Sequence, residues 1–179
     1  MNLANKLTLI RIMMIPVFIV FVLTDLPYGN LYAAIVFLLA SATDAIDGYI
    51  ARKRKEVTNL GMLLDPLADK LLVTAALVTL VSTGQISSWI AIVIIGREFL
   101  VTGLRGIAAA ENIVIAASNS AKLKTIVQIS AVSLLLIDEY IVAYLGFSPG
   151  QWMLYLAVAF TLYTGYDYVV KTFSRIKMT

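Results

Sequence analysis

Four aspartates lie within a 26-residue stretch of an otherwise very apolar chain: Asp44, Asp47, Asp65 and Asp69. Asp44 and Asp47 are spaced i,i+3 and Asp65 and Asp69 are spaced i,i+4. On helices, each pair therefore projects from one face. At about 100° per residue, Gly48, Ala51 and Arg52 fall within roughly a quarter-turn of Asp44, and Gly61 falls under Asp65. One strip thus carries two acids, two small residues and a cation; the other carries a small residue and two more acids. Four ionised carboxylates in one place repel one another, and each costs about 2.5–3.5 kcal/mol inside a membrane span. Protonation, cation pairing or metal coordination relieves that cost. Two divalent ions would neutralise four carboxylates, and such pairs clamp the attacking and leaving oxygens of phosphoryl transfer. The small residues would let a diphosphate lie against the helices. The plainer alternative is a cytoplasmic vestibule in which the acids pair with Arg52, Lys53, Arg54 and Lys70.

Composition narrows the chemistry. The chain has 179 residues and neither cysteine nor histidine. No disulfide, thiolate metal site or cysteine nucleophile is available, nor are the usual zinc ligand and the commonest general base. Acid–base work falls to Asp, Glu, Lys or Tyr. A metal site must be oxygen-rich, which favours Mg²⁺ or Mn²⁺.

The elements that must position these groups are membrane helices. Hydrophobic residues make up 60% of the chain and charged residues 14%, with a mean hydropathy of +0.89. Soluble domains run nearer 45–50% and about 25%. The expected fold is all-α: a six-helix transmembrane bundle preceded by a short amphipathic segment over residues 2–11, all within one domain spanning 1–179. The first span runs from about residue 7 to 23 with Pro16 as a kink, and is read as retained rather than as a cleaved signal peptide. The second run covers about 31–50, the third about 61–81 and the fourth about 89–110. A polar loop follows over 111–124. The fifth covers about 125–137, where Asp138 and Glu139 argue for an interface, with one tilted helix to Leu145 as the alternative. The sixth spans about 152–170. Each is near the roughly 20 residues that cross a bilayer. Lys6, Arg11, Arg52–Lys55, Lys122, Lys124, Lys171, Arg175 and Lys177 all fall on the side of the termini, whereas loops 25–30, 82–88 and 138–150 hold no Lys or Arg. The positive-inside rule makes the termini and basic loops cytoplasmic, in a multi-pass cell-membrane protein. Trp89, Trp152, Tyr28 and Tyr32 fall near the outer edge, as in an aromatic belt.

The stretch reads Asp44-x₂-Asp47-Gly48-x₂-Ala51-Arg52-x₈-Gly61-x₃-Asp65-x₃-Asp69. It resembles the signature of the CDP-alcohol phosphatidyltransferase family, and the six-helix pattern extends the resemblance over nearly the whole chain. The resemblance implies transfer of a phosphatidyl group from CDP-diacylglycerol to an alcohol, with release of CMP. It implies that Asp44, Asp47 and Asp65 bind two Mg²⁺ (or Mn²⁺) ions, and that Asp69 completes the site and acts as general base. Gly48, Arg52 and Thr58 match positions that contact the CDP moiety, and Asn5, Thr8, Ala51 and Gly61 join the expected CDP-diacylglycerol site. A homodimer in the lipid bilayer is implied, with no nucleic-acid partner.

The acceptor is decided outside the signature. Asn5-Lys-Leu-Thr8-x₂-Arg11, Arg97-Glu98-Phe with Arg105, Lys122-Leu-Lys124-Thr125-x₂-Gln128 and Gly165-Tyr-Asp-Tyr168 are similar to segments of the bacterial phosphatidylglycerophosphate synthases within that family. One position departs: Ala121 stands where that group usually has Gly. The resemblance implies sn-glycerol 3-phosphate as acceptor. A phosphorylated acceptor needs cations, and Arg97 and Arg105 are costly in an apolar helix without a partner. Arg105, Lys122 and Lys124 are the expected acceptor-phosphate ligands, joined by Arg97, for which a pair with Glu98 or Asp167 is the competing role. Other family acceptors (inositol phosphate, serine, phosphatidylglycerol) remain alternatives. So do a UbiA-like prenyltransferase and a cation-coupled transporter, which would show ion-driven flux and no CMP.

Overall fold

The computed structural model describes residues 3–24, 26–54, 59–111 and 119–176, with side chains described for these except 3–4, 44–54, 59–63, 65, 110, 119 and 175–176. Among the described residues there are seven helices and no strand: α1 (Leu3–Leu23), α2 (Gly29–Arg54), α3 (Asn59–Ser82), α4 (Ser88–Ala110), α5 (Asn119–Leu136), α6 (Asp138–Leu145) and α7 (Pro149–Ile176). The all-α expectation holds. By length and composition α1 and α7 can cross a membrane, and α5 with α6 makes a third span if the bent pair counts as one. Helices α2, α3 and α4 have 26, 24 and 23 residues, enough for a ~30 Å hydrocarbon core at about 1.5 Å per residue. Charged residues within them, such as Lys70, Arg97, Glu98 and Arg105, are what interrupt their apolar character.

Helix α1 packs on both α2 and α3, and α7 packs on α5 and α4. The core that joins them is aliphatic and aromatic: Phe18 meets Phe37 with ring centroids 5.9 Å apart, and Leu77, Ile94, Val132 and Leu154 are fully enclosed. Many Leu, Ile, Val and aromatic side chains are exposed on the outside, among them Met13, Leu39, Ile92, Ile126 and Leu162. An outer surface of this kind suits lipid, which accepts apolar side chains that water would reject.

Two local features differ from the sequence expectation, and a third decides between the two readings of the fifth run in favour of an end near Ile137. The N-terminal amphipathic segment is not separate: α1 is continuous from Leu3, and its polar residues Asn5, Thr8 and Arg11 are buried while Leu9 and Ile10 face outward. The polar stripe meets protein and the apolar residues face outward, the reverse of a helix on the surface of a soluble domain. The 111–124 segment is not all loop, since α5 begins at Asn119 and carries Lys122 and Lys124 in its first turns. The fifth run does not continue to Leu145 as one helix. It breaks at Ile137, and α6 leaves at 76°. Gly146, at φ 74°, caps α6 in the left-handed region that glycine adopts without strain. Ser148 then accepts the Gln151 backbone N–H at 3.1 Å and donates to Asp138 at 2.6 Å, which starts α7 with Pro149 in its first turn.

Candidate functional site

The chemistry collects at the end of the bundle where α2 and α4 finish and α3 and α5 begin. A cavity of about 260 Å³ is lined by Asp69 and Lys70 of α3, and by Arg97, Glu98, Val101, Thr102 and Arg105 of α4. Ala121, Lys122 and Thr125 of α5 and Thr164, Asp167, Tyr168 and Lys171 of α7 complete the lining. Among the described residues, five cations and three carboxylates therefore face one another across four helices. A wider hollow of about 510 Å³ at the opposite end, beside Tyr28 and Tyr140, has Glu139 as its charged lining residue among the described residues. Its charge suits no anion.

Four of these cations, and Lys124 behind them, are held in different ways. Arg97 donates from Nη1 to Glu98 Oε1 at 3.1 Å and from Nη2 to Thr164 Oγ1 at 2.9 Å. Thr164 in turn donates to the Phe160 carbonyl at 2.7 Å, which fixes its acceptor lone pairs toward the arginine. Lys124 is buried and pairs with the same Glu98 oxygen. Lys171 pairs with Asp167 at 2.7 Å, one helical turn away, and Lys70 donates to the Pro66 carbonyl at 3.0 Å. The Arg105 guanidinium lies 5.9 Å from the centroid of the Tyr168 ring. That contact steadies an arginine without consuming its hydrogen-bond donors. Close approach of α7 to α4 is possible because Gly165 has no side chain: a Cβ there would meet Arg97 Cγ at 3.0 Å.

Of the expected acceptor ligands, Arg97, Arg105 and Lys122 line this cavity. Lys124 instead lines a small space of about 20 Å³ behind it, with Asp69, Glu98 and Gln128. The competing role for Arg97, a pair with Glu98, is present, and Arg97 still lines the cavity while making it. Lys171, Lys70 and Tyr168 were not expected as lining residues. Lys171 follows an apolar run and reads as a flanking charge. Its i,i+4 spacing from Asp167 was the available signal.

The signature residues divide between described and undescribed side chains. Asp69 opens on both cavities. Asp44, Asp47, Gly48, Ala51 and Arg52 lie within helical α2, and Gly61 and Asp65 within helical α3, but their side chains are outside the described residues, as is all of Thr58. The backbone observed at these positions is the helical one that the i,i+3 and i,i+4 spacings require. Asn5, Thr8 and Arg11 are buried on α1, and Arg11 Nε donates to Thr43 Oγ1 at 3.4 Å, immediately before Asp44. Helix α1 thus braces the acidic end of α2. Among the described residues no group of three or more metal-ligating side chains is found. Three of the four aspartates lie outside that search. The donor set, carboxylate oxygen without His or Cys, fits a hard divalent cation.

The model of the CDP-alcohol phosphatidyltransferase family matches residues 1–163 of the chain. The chain belongs to that family. It is 44% identical to the CDP-diacylglycerol–glycerol-3-phosphate 3-phosphatidyltransferase of Bacillus subtilis (strain 168), over 98% of this chain and 97% of the relative. The proteins of the same description from Rickettsia bellii and Wigglesworthia glossinidia brevipalpis are 40% and 36% identical. The first match covers 93% of both chains; the second covers 82% of this chain and 83% of the relative. Membership accounts for the aspartate stretch as a unit, and sets aside the prenyltransferase and transporter readings.

Proposed function

We propose that the chain transfers the phosphatidyl group of CDP-diacylglycerol to sn-glycerol 3-phosphate, forming phosphatidylglycerophosphate and CMP. The observation that carries the choice of acceptor is the cation-rich cavity bordered by Asp69. An acceptor with a free phosphomonoester needs such a lining, and serine or phosphatidylglycerol does not. The similarity to relatives named for glycerol 3-phosphate supports the same choice.

The acceptor's phosphate binds to Arg97, Arg105 and Lys122, the arginines offering planar forks and the lysine a point charge. Anchored there, its hydroxyl lies toward Asp69. With no histidine in the chain, the Asp69 carboxylate is the group that accepts the hydroxyl proton. The oxygen attacks the phosphorus nearer the lipid, the bond to the bridging oxygen breaks, and CMP leaves with the electron pair. Asp44, Asp47, Asp65 and Asp69 would hold two divalent ions, Mg²⁺ or Mn²⁺; when bound, these polarise the diphosphate and offset charge on the departing CMP. Gly48, Ala51 and Gly61 leave room for the CDP group beside Arg52 and Thr58, with Asn5 and Thr8 near the same end. The diphosphate bond is the energy source, so neither ATP nor a redox cofactor takes part.

The chain acts as one catalytic domain of six spans, with its termini and active site on the cytoplasmic side and as a homodimer. The distribution of Lys and Arg supports that orientation. The deciding experiment measures CMP release by purified protein given CDP-diacylglycerol, with and without glycerol 3-phosphate and Mg²⁺. Release that requires both is expected. No release with glycerol 3-phosphate, but release with inositol phosphate or serine, refutes the acceptor.

A further inference from the structure

Arg97 stands apart from the other cavity cations because its guanidinium is held at two points by two different helices. Glu98 takes Nη1 from its own helix and Thr164 takes Nη2 from α7. A guanidinium has five N–H donors. Among the described residues these two contacts use two of them, and the Nε–H is buried without a partner. A long side chain that lines a cavity, fixed at its head and still holding unused donors, is pre-organised for a planar anion. Glu98 by itself would oppose such an anion, because its carboxylate also lines the cavity. Lys124 removes that opposition: it is almost wholly buried, lies behind the cavity, and pairs with the same Glu98 oxygen that receives Arg97.

We infer that Glu98 and Thr164 form a clamp that positions Arg97 for the acceptor's phosphate, and that Lys124 is the counter-charge of Glu98 rather than a phosphate ligand. Glu98 and Thr164 are positioning residues: they act through Arg97 and not on the reacting atoms. The simpler role for Glu98 is compensation of the buried Lys124 charge alone. The two roles part in a double variant. Glu98→Leu with Lys124→Met removes both charges together, so no buried ion is left unpaired. If the clamp operates, this protein melts near the wild-type temperature, yet its KM for glycerol 3-phosphate rises about tenfold or more, a loss of ~1.4 kcal/mol per tenfold. The KM for CDP-diacylglycerol stays unchanged. Compensation alone predicts a wild-type KM for glycerol 3-phosphate in the double variant, and that result overturns the inference.

Thr164→Val supplies an independent reading, because it leaves the Glu98–Lys124 pair intact and removes the other end of the clamp. A raised KM for glycerol 3-phosphate is expected; a wild-type value overturns the inference, whether or not the double variant folds. The inference rests on the acceptor reading above, and the wild-type protein separates their failures. If wild type releases no CMP with glycerol 3-phosphate, the acceptor reading falls. If wild type does and either variant keeps its KM, the clamp alone falls.

Discussion

Gly165→Ala tests how tightly α7 and α4 define the cavity. The added Cβ would lie 3.0 Å from Arg97 Cγ and 3.8 Å from Nε. That is tighter than carbon pairs ordinarily come, so the arginine stem must yield by a few tenths of an ångström. Its head cannot follow freely, being bonded at 3.1 Å to Glu98 and 2.9 Å to Thr164. Rotating the stem about 30° off its rotamer costs roughly 0.5–1.5 kcal/mol. Alanine for glycine inside a helix returns about 0.5–1 kcal/mol. The two nearly cancel, and the melting temperature moves by no more than about 2–4 °C for a chain of this size. Acceptor binding has no such compensation. A guanidinium tilted by a few tenths of an ångström worsens the length and angle of its charge-assisted hydrogen bonds to the anion, forfeiting part of about 1.5–3 kcal/mol. The expected result is a KM for glycerol 3-phosphate raised about tenfold at near-normal stability. The assay is CMP release against glycerol 3-phosphate concentration at saturating CDP-diacylglycerol, with a melting curve beside it. An unchanged KM at unchanged stability would refute the reasoning, for it would mean that the position of Arg97 does not matter to the acceptor.

Other substitutions probe separate parts of the site and the fold. Asp69→Asn should abolish CMP release while leaving much of the CDP-diacylglycerol binding intact; near-normal turnover removes Asp69 from the role of base. Arg105→Ala should mainly raise the KM for glycerol 3-phosphate, by about tenfold, since its guanidinium rests on Tyr168 with its donors open; an effect confined to CDP-diacylglycerol would contradict that placement. Gly150→Ala should leave both KM values alone and lower the melting temperature. A Cβ there meets the Leu135 backbone nitrogen at 2.9 Å, and backbone cannot step aside, so overpacking costs about 1–3 kcal/mol. A melting curve unchanged from wild type would show that α5 and α7 separate more easily than their packing implies.

Chain order alone carried the reading of the aspartates. Their i,i+3 and i,i+4 spacing, the small residues between them and the absence of His and Cys are properties of the sequence, and with the apolar composition they are the whole basis of the proposal of an oxygen-ligand phosphotransfer site on membrane helices. The all-α class followed from the same apolar runs. Which way the polar residues of α1 face did not follow, because a stripe of Asn5, Thr8 and Arg11 reads equally as a surface face until the partners of α1 are known. Nor did the 76° break after Leu136, where carboxylates at 138 and 139 offered a hint without an angle. The division of labour among the cations was the least legible part. Arg97 finds Thr164 across 67 residues, and Lys124 finds Glu98 across 26. In the sequence, Arg97, Arg105, Lys122 and Lys124 are all candidate phosphate ligands, with a pair to Glu98 or Asp167 as the competing role of Arg97. Only the packing of α4, α5 and α7 decides which is pinned, which stays open to a ligand and which is spent on a buried carboxylate, since a charge in low-dielectric surroundings is governed by its nearest partner rather than by its neighbours in the chain.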